Sequence, residues 1–165
     1  MKEIIVQLIG VLGFIFLMLS YYKKAKIQIL FMQILSSIIF TIHYYLLSGI
    51  TGAVCSFINI IVMLLIYWFE KMKKKKISLI LVLIPFFTLV CFISWKNIFS
   101  IFPILATILA SVSFLCNKET TIRIIGIINC ICWIIYGLIY VSYSGIIFNT
   151  ITIITTTIAL IKNRK

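Results

Sequence analysis

Residues 129–149, NCICWIIYGLIYVSYSGIIFN, set one Trp, three Tyr and two Asn in a segment otherwise apolar enough to sit in lipid. Polar and aromatic side chains at membrane depth are costly, and by default they mark a solute path or a binding site. A weaker copy lies 93 residues earlier, where 36–52 reads SSIIFTIHYYLLSGITG. Two such copies in one apolar chain imply an internally duplicated membrane protein.

Working outward, the composition asks for a lipid solvent. Of 165 residues, 64% are hydrophobic and 11% charged, with a mean hydropathy of +1.26. A soluble domain of this length cannot hide that much apolar surface. Fifteen Lys and Arg against three Glu give a formal charge of +12. These charges fall in short clusters between apolar runs, as membrane loops do, and not on one face as a nucleic-acid footprint would. The five cysteines (Cys55, Cys91, Cys116, Cys130, Cys132) lie in or at the ends of apolar runs, without a metal-type C-x2-C pair. They read as small packing residues.

Charge-free runs cover 4–22, 27–69, 77–95, 97–117 and 124–161. A helix needs about 20 residues to cross the ~30 Å hydrocarbon core, so 27–69 and 124–161 are each two crossings. Each has a Gly/Ser break near its middle, 48–52 and 142–145, where turn residues are expected. The pattern predicts an all-α integral membrane protein of seven spans: 4–22, 27–47, 51–69, 77–95, 97–116, 122–141 and 145–161. Thirteen of the fifteen positive residues fall at one set of span ends, and only Lys2 and Lys96 at the other. The positive-inside rule then puts the N-terminus outside and the C-terminus in the cytoplasm. The run Lys73–Lys76 reads first as a topology signal, and second as a contact for anionic membrane lipid.

The 93-residue shift sets Gly10 on Pro103, Ser36 on Asn129, Phe40 on Trp133, His43 on Tyr136 and Gly52 on Gly145. Spans one to three become a copy of spans five to seven, which divides the chain into a first triplet (1–70), a basic loop with a linker helix (71–96) and a second triplet (97–165). The extra crossing returns the chain to its starting side, so the triplets come out parallel, a plan transporters use with the solute site between the repeats. The middle span of each triplet carries a stripe at helical spacing: Gln33, Ser36/Ser37, Phe40, His43/Tyr44 and Leu47 in one, Gly126, Asn129/Cys130, Trp133, Tyr136/Gly137 and Tyr140 in the other.

The W-x2-Y-G pattern of Trp133, Tyr136 and Gly137, followed by Asn149, resembles the SWEET and SemiSWEET sugar-transporter fold of the PQ-loop superfamily. The 3+1+3 plan with an outside N-terminus is similar too. Length, the Lys-rich inner face and the stretch HYYLLSGITGA resemble the YgjV-type bacterial inner-membrane proteins most closely, over essentially the whole chain. The SWEET resemblance implies a solute site of Phe40 with Asn59 and Trp133 with Asn149, one aromatic and one amide from each triplet. It also implies hinges at Pro103 and, at the matching helix start, Gly10. Helices two and six have no Pro, and the PQ dipeptide is absent.

Each residue also has a plainer reading. Trp133 sits about nine residues from either end of its span, ~13 Å deep, too deep for the interfacial aromatic belt that suits Trp68 and Trp95. It is a pocket wall or core packing. Asn59 and Asn149 serve either as interhelical glue or as amide donor and acceptor to a neutral polar solute. Asn129, nearer the cytoplasmic end, reads as structural. His43, the chain's one His, is first a neutral hydrogen-bonded residue and second a proton site, and Tyr136 is its partner position across the repeat. No carboxylate lies inside a span, which favours a facilitator over a carboxylate-relay pump. Without an acid pair, an oriented nucleophile, a P-loop or a metal-ligand cluster, neither an enzyme nor a bound cofactor is expected. The leading reading is a facilitator for a small neutral polar, sugar-like solute by alternating access. The alternative is a receptor or regulatory subunit of the same fold that transports nothing.

Overall fold

The computed structural model describes residues 2–21, 26–72, 89, 93–116 and 118–162. Six α-helices and one 3-10 turn, and no strands, are found among the described residues: α1 (Lys2–Tyr21), α2 (Lys26–Leu46), α3 (Ile50–Lys71), the turn Ile98–Ser100, α4 (Ile101–Leu115), α5 (Glu119–Ile139) and α6 (Tyr143–Lys162). Five of the six (all but α4) are long and apolar enough to cross a membrane. The predicted linker helix over 77–95 lies almost entirely outside the described residues.

Helix ends differ from the predicted spans by a few residues. The α5 helix starts three residues before its predicted span and takes in Glu119, because charge at a membrane edge ends the lipid-soluble run without ending the helix. It also ends two residues early, so Trp133 stands six residues from the Ile139 end and not at mid-span. The predicted crossing 97–116 is a 3-10 turn followed by a 15-residue α4. Asn97 sets that start: its side chain accepts from the Phe99 N–H at 3.1 Å in a capping box with Ser100. The helices that follow the two interior breaks start earlier than predicted, α3 at Ile50 and α6 at Tyr143.

At the two turns the left-handed residues are Ser48 (φ 61°) and Val141 (φ 52°), not the neighbouring glycines. Gly49 N–H donates to the Tyr44 carbonyl at 2.8 Å and Ser48 N–H to the Tyr45 carbonyl at 3.0 Å, a Schellman ending of α2. In the second copy Ser142 N–H donates to the Gly137 carbonyl at 2.9 Å, 93 positions on from the first of these bonds. The same shift carries the Ser36 hydroxyl's bond to the Gly13 carbonyl (2.8 Å) onto the Asn129 amide's bond to the Ala106 carbonyl (2.6 Å). The duplication is thus written in the hydrogen bonds as well as in the letters.

The helices are apolar on the outside, as lipid requires. Ile4, Leu8, Leu12, Ile15 and Leu19 form an exposed row on α1, and Ile147, Ile151, Ile154, Ile158 and Ile161 another on α6, both at steps of three and four. Hydroxyls on the helices return to carbonyls one turn back, as Thr150 does to Ile146 and Thr157 to Ile153, so they enter lipid already satisfied. Packing is densest along α1–α2–α3 and along α4–α5–α6, and α3–α4 and α1–α6 contacts close the circle. Across it, Phe14 stacks on Phe148 with centroids 4.4 Å apart and meets Phe40 edge-on at 4.7 Å.

Candidate functional site

The polar faces of α2 and α5 turn toward the middle of this circle and enclose a cavity of about 400 Å³. That volume falls within the ~300–1,000 Å³ typical of small-molecule sites. The stripe residues Gln33, Ser36, Ser37, Phe40 and Tyr44 form one wall, and Gly126, Asn129, Cys130 and Trp133 the other. From the third helix of each copy come Ser56 and Asn59, and Asn149, Thr152 and Thr156. Phe40, Asn59, Trp133 and Asn149 therefore all line one space, although they come from four different helices.

The two Asn are not strict repeat partners. The 93-residue shift sets Asn59 on Thr152 and Ser56 on Asn149. Since 56 and 59, like 149 and 152, are one helical turn apart, both pairs face the same space. The cavity thus has two layers of amide plus hydroxyl, each drawing one group from each copy. Sequence reading missed Ser56, Thr152 and Thr156; the shift would have found the first two, whereas Thr156 falls on Met63. It also placed Asn129 as structural only; the residue bonds α5 to α4 and lines the cavity as well.

Chemically the lining is neutral amide, hydroxyl and aromatic. Asn149 Nδ2 donates to the Gly145 carbonyl at 2.8 Å, which fixes the amide's orientation. Gln33 Oε1 is buried with no hydrogen-bond partner among the described residues, and such an acceptor is costly unless a donor meets it. Arg123 stands at the basic end, and no carboxylate is among the lining residues. No group of three or more His, Cys, Asp or Glu that could hold a metal occurs among the described residues. One wall has an open gap at Gly126, where an added Cβ would meet nothing within 4 Å.

The end of the cavity nearest the two turns is plugged. Tyr44 stacks on Trp133 with centroids 5.2 Å apart, and Trp133 meets Tyr136 edge-on at 6.2 Å. His43 and Tyr136 do not line the cavity; both are fully buried behind this plug. They occupy matching positions in the two copies and reach across to the start of the opposite third helix. Tyr136 OH accepts the Gly52 N–H at 2.9 Å, and His43 Nε2 bonds the Ser142 hydroxyl at 2.8 Å. Ser142 caps α6 by accepting the Gly145 N–H at 3.3 Å. At the matching cap of α3 stands Gly49, which has no side chain, and the longer Tyr136 supplies the missing oxygen from the other copy. A Cβ on Gly49 would come within 3.1 Å of that hydroxyl.

A second pair of cross-links obeys the same symmetry. Gln7 accepts from the Ser144 backbone at 3.2 Å, and Thr51 meets the Ser100 hydroxyl at 3.0 Å, residues 7 and 144 falling on 100 and 51 under the shift. Gly10 passes so close to Ser144 Oγ and the His43 ring that it leaves no room for a Cβ. Pro103 is buried in the first turn of α4, where a missing N–H breaks no helical hydrogen bond, and its carbonyl accepts from Thr107 Oγ1 at 2.8 Å.

The chain matches the Imp-YgjV family model, described as bacterial inner membrane protein, over residues 4–165. No curated protein and no solved structure matches it. With its apolar helices and a family match over nearly its full length, the chain belongs to the Imp-YgjV family and is a multi-pass protein of the bacterial inner membrane.

Proposed function

We propose that this protein is a SWEET-like facilitator for a small neutral polar solute, working by alternating access between two three-helix repeats. The observation that carries the reading is the convergence of Phe40, Asn59, Trp133 and Asn149 on one cavity, two from each copy. In this reading the chain has seven spans arranged 3+1+3, the fourth lying within 71–96, with the N-terminus outside. The positive-inside rule sets the basic helix ends in the cytoplasm, so the cavity faces inward and the Tyr44–Trp133 plug closes the outer end. The aromatic walls take the apolar faces of the solute. The layered amides and hydroxyls, with Gln33, exchange hydrogen bonds with its polar groups. Alternation breaks the cross-links at the turn end and closes the basic end, with Gly10 and Pro103 at the hinge positions.

A receptor or regulatory subunit of the same fold is the second reading. It is favoured by the place of Pro103, in a helical turn that proline does not kink. The test is uptake of labelled sugars, polyols and amino acids into proteoliposomes by wild type and by Asn59→Ala, Asn149→Ala and Trp133→Ala. A transported solute whose uptake falls at least roughly tenfold in each variant, the loss of about 1.4 kcal/mol of binding, supports the facilitator. A folded wild type that moves none of the panel favours the receptor.

A further inference from the structure

The cavity accounts for the polar stripes but not for His43, which lies behind the plug with both ring nitrogens engaged. Nδ1 is 2.9 Å from the Val6 carbonyl and Nε2 is 2.8 Å from Ser142 Oγ. A carbonyl can only accept, so Nδ1 carries the ring proton and Nε2 offers its lone pair. Ser142 must then donate its one hydroxyl proton to His43. Its oxygen meanwhile accepts the Gly145 N–H at 3.3 Å and bonds the Tyr44 hydroxyl. The carbonyl at Nδ1 thus fixes the neutral ring as its Nδ1–H tautomer, with Nε2 as the acceptor.

We infer that His43 is a proton-binding site that opens the plugged end of the cavity, so that acid at that end speeds the facilitated solute movement proposed above. A proton taken from water onto Nε2 turns that atom into a donor facing a hydroxyl that is itself donating to it. Ser142 must then turn its own proton away from the ring, toward the Tyr44 oxygen, so the hydrogen bonds of the cluster have to reverse. The new positive charge has no counter-ion at hand among the described residues. Of the elements packed on His43, α2 sets Tyr44 against it at a centroid distance of 5.2 Å, α1 brings Val6 and Gly10, and the start of α6 brings Ser142 and Ser144. The carboxylate on this end of α1, Glu3, is exposed, as is Lys96 before the 3-10 turn. A buried cation without a partner is relieved by reaching water, and here that means parting α1 and α2 from the α5–α6 turn. The matching link through Tyr136 has no cationic form, so one of the two links responds to acid and the other does not.

Because His43 is the chain's one histidine, 15N-histidine labelling of the whole protein in bilayers reports a single ring. At about pH 7.5 the ring should show the Nδ1–H tautomer, slow to exchange with water. On acidification it should become an imidazolium whose N–H protons exchange with water, at least roughly tenfold faster, over the same pH interval. An Nε2–H tautomer at neutral pH, or protonation without faster exchange, would overturn the inference. In proteoliposomes, uptake should rise several-fold when the face of the closed end is acidified, and His43→Gln should take up solute at a rate indifferent to pH. Wild-type uptake that ignores pH overturns the proton site and leaves the transport reading standing. A wild type that takes up nothing defeats the transport reading, and the ring measurement still decides whether His43 opens the end.

Discussion

His43 and Ser142 meet at 2.8 Å although 99 residues of chain separate them. The contact joins the two copies of the repeat, and it passes the cap of α6 on to a side chain of the opposite half. Its counterpart, Tyr136 on the Gly52 N–H, does the same work with one residue fewer. Shortening a side chain on one strut therefore has to be matched on the other element: His goes with Ser at the cap, and Tyr goes with Gly.

Removing either strut should cost stability. Ser142→Ala strands His43 Nε2 and the Gly145 N–H, and Tyr136→Phe strands the Gly52 N–H. Each should lower unfolding free energy by about 1–3 kcal/mol, the cost of a buried unsatisfied group, with Ser142→Ala the larger of the two. Equilibrium denaturation in detergent checks the order.

The glycines should divide by environment. Gly10→Ala drives a methyl into Ser144 Oγ and the His43 ring, and Gly52→Ala drives one into the Tyr136 and Tyr44 rings. Both should destabilise by about 1–3 kcal/mol. Gly126→Ala meets open space and should stay within about 0.5 kcal/mol of wild type. Thermal melts of the three variants side by side would show the split.

At the turns the opposite change should help. Val141 is β-branched and holds φ at 52°, where a Cβ is crowded. Val141→Gly, and less so Ser48→Gly, should stabilise by about 0.5–1 kcal/mol, net of the entropy glycine adds to the unfolded chain. A fall in melting temperature for Val141→Gly would mean that the exposed Val141 side chain contributes more through packing than its backbone loses.

Much of this was legible in the letters, and the reasons are physical. Lipid forces apolar residues outward and charges to the edges, so runs such as 27–69 and 124–161 show where helices lie. A duplication preserves spacing, so Phe40 and Trp133 could be paired before any coordinates. Helix ends were less legible, since a charge such as Glu119 ends solubility in lipid but not the backbone hydrogen bonding. Depth along a stripe was not legible at all. Gln33 to Tyr140 positions share one polar pattern, yet Phe40 and Trp133 face the cavity while His43 and Tyr136 are bonded behind its plug. That distinction depends on which atoms meet across the two copies, and periodicity within one helix carries no such information. Gly52 and Gly145, just past the two turns, make room for an aromatic ring and a serine hydroxyl.

The most direct test of the cavity as the solute path uses the gap at Gly126, where a side chain can fill the space without displacing a neighbour. Gly126→Ala and Gly126→Phe would be reconstituted beside wild type, and uptake of whichever labelled solute wild type carries would be compared at equal amounts of folded protein. The account predicts wild-type rates for Gly126→Ala and a loss of at least roughly tenfold for Gly126→Phe. Undiminished uptake by a folded Gly126→Phe would contradict it, because the solute would then be crossing somewhere other than this cavity.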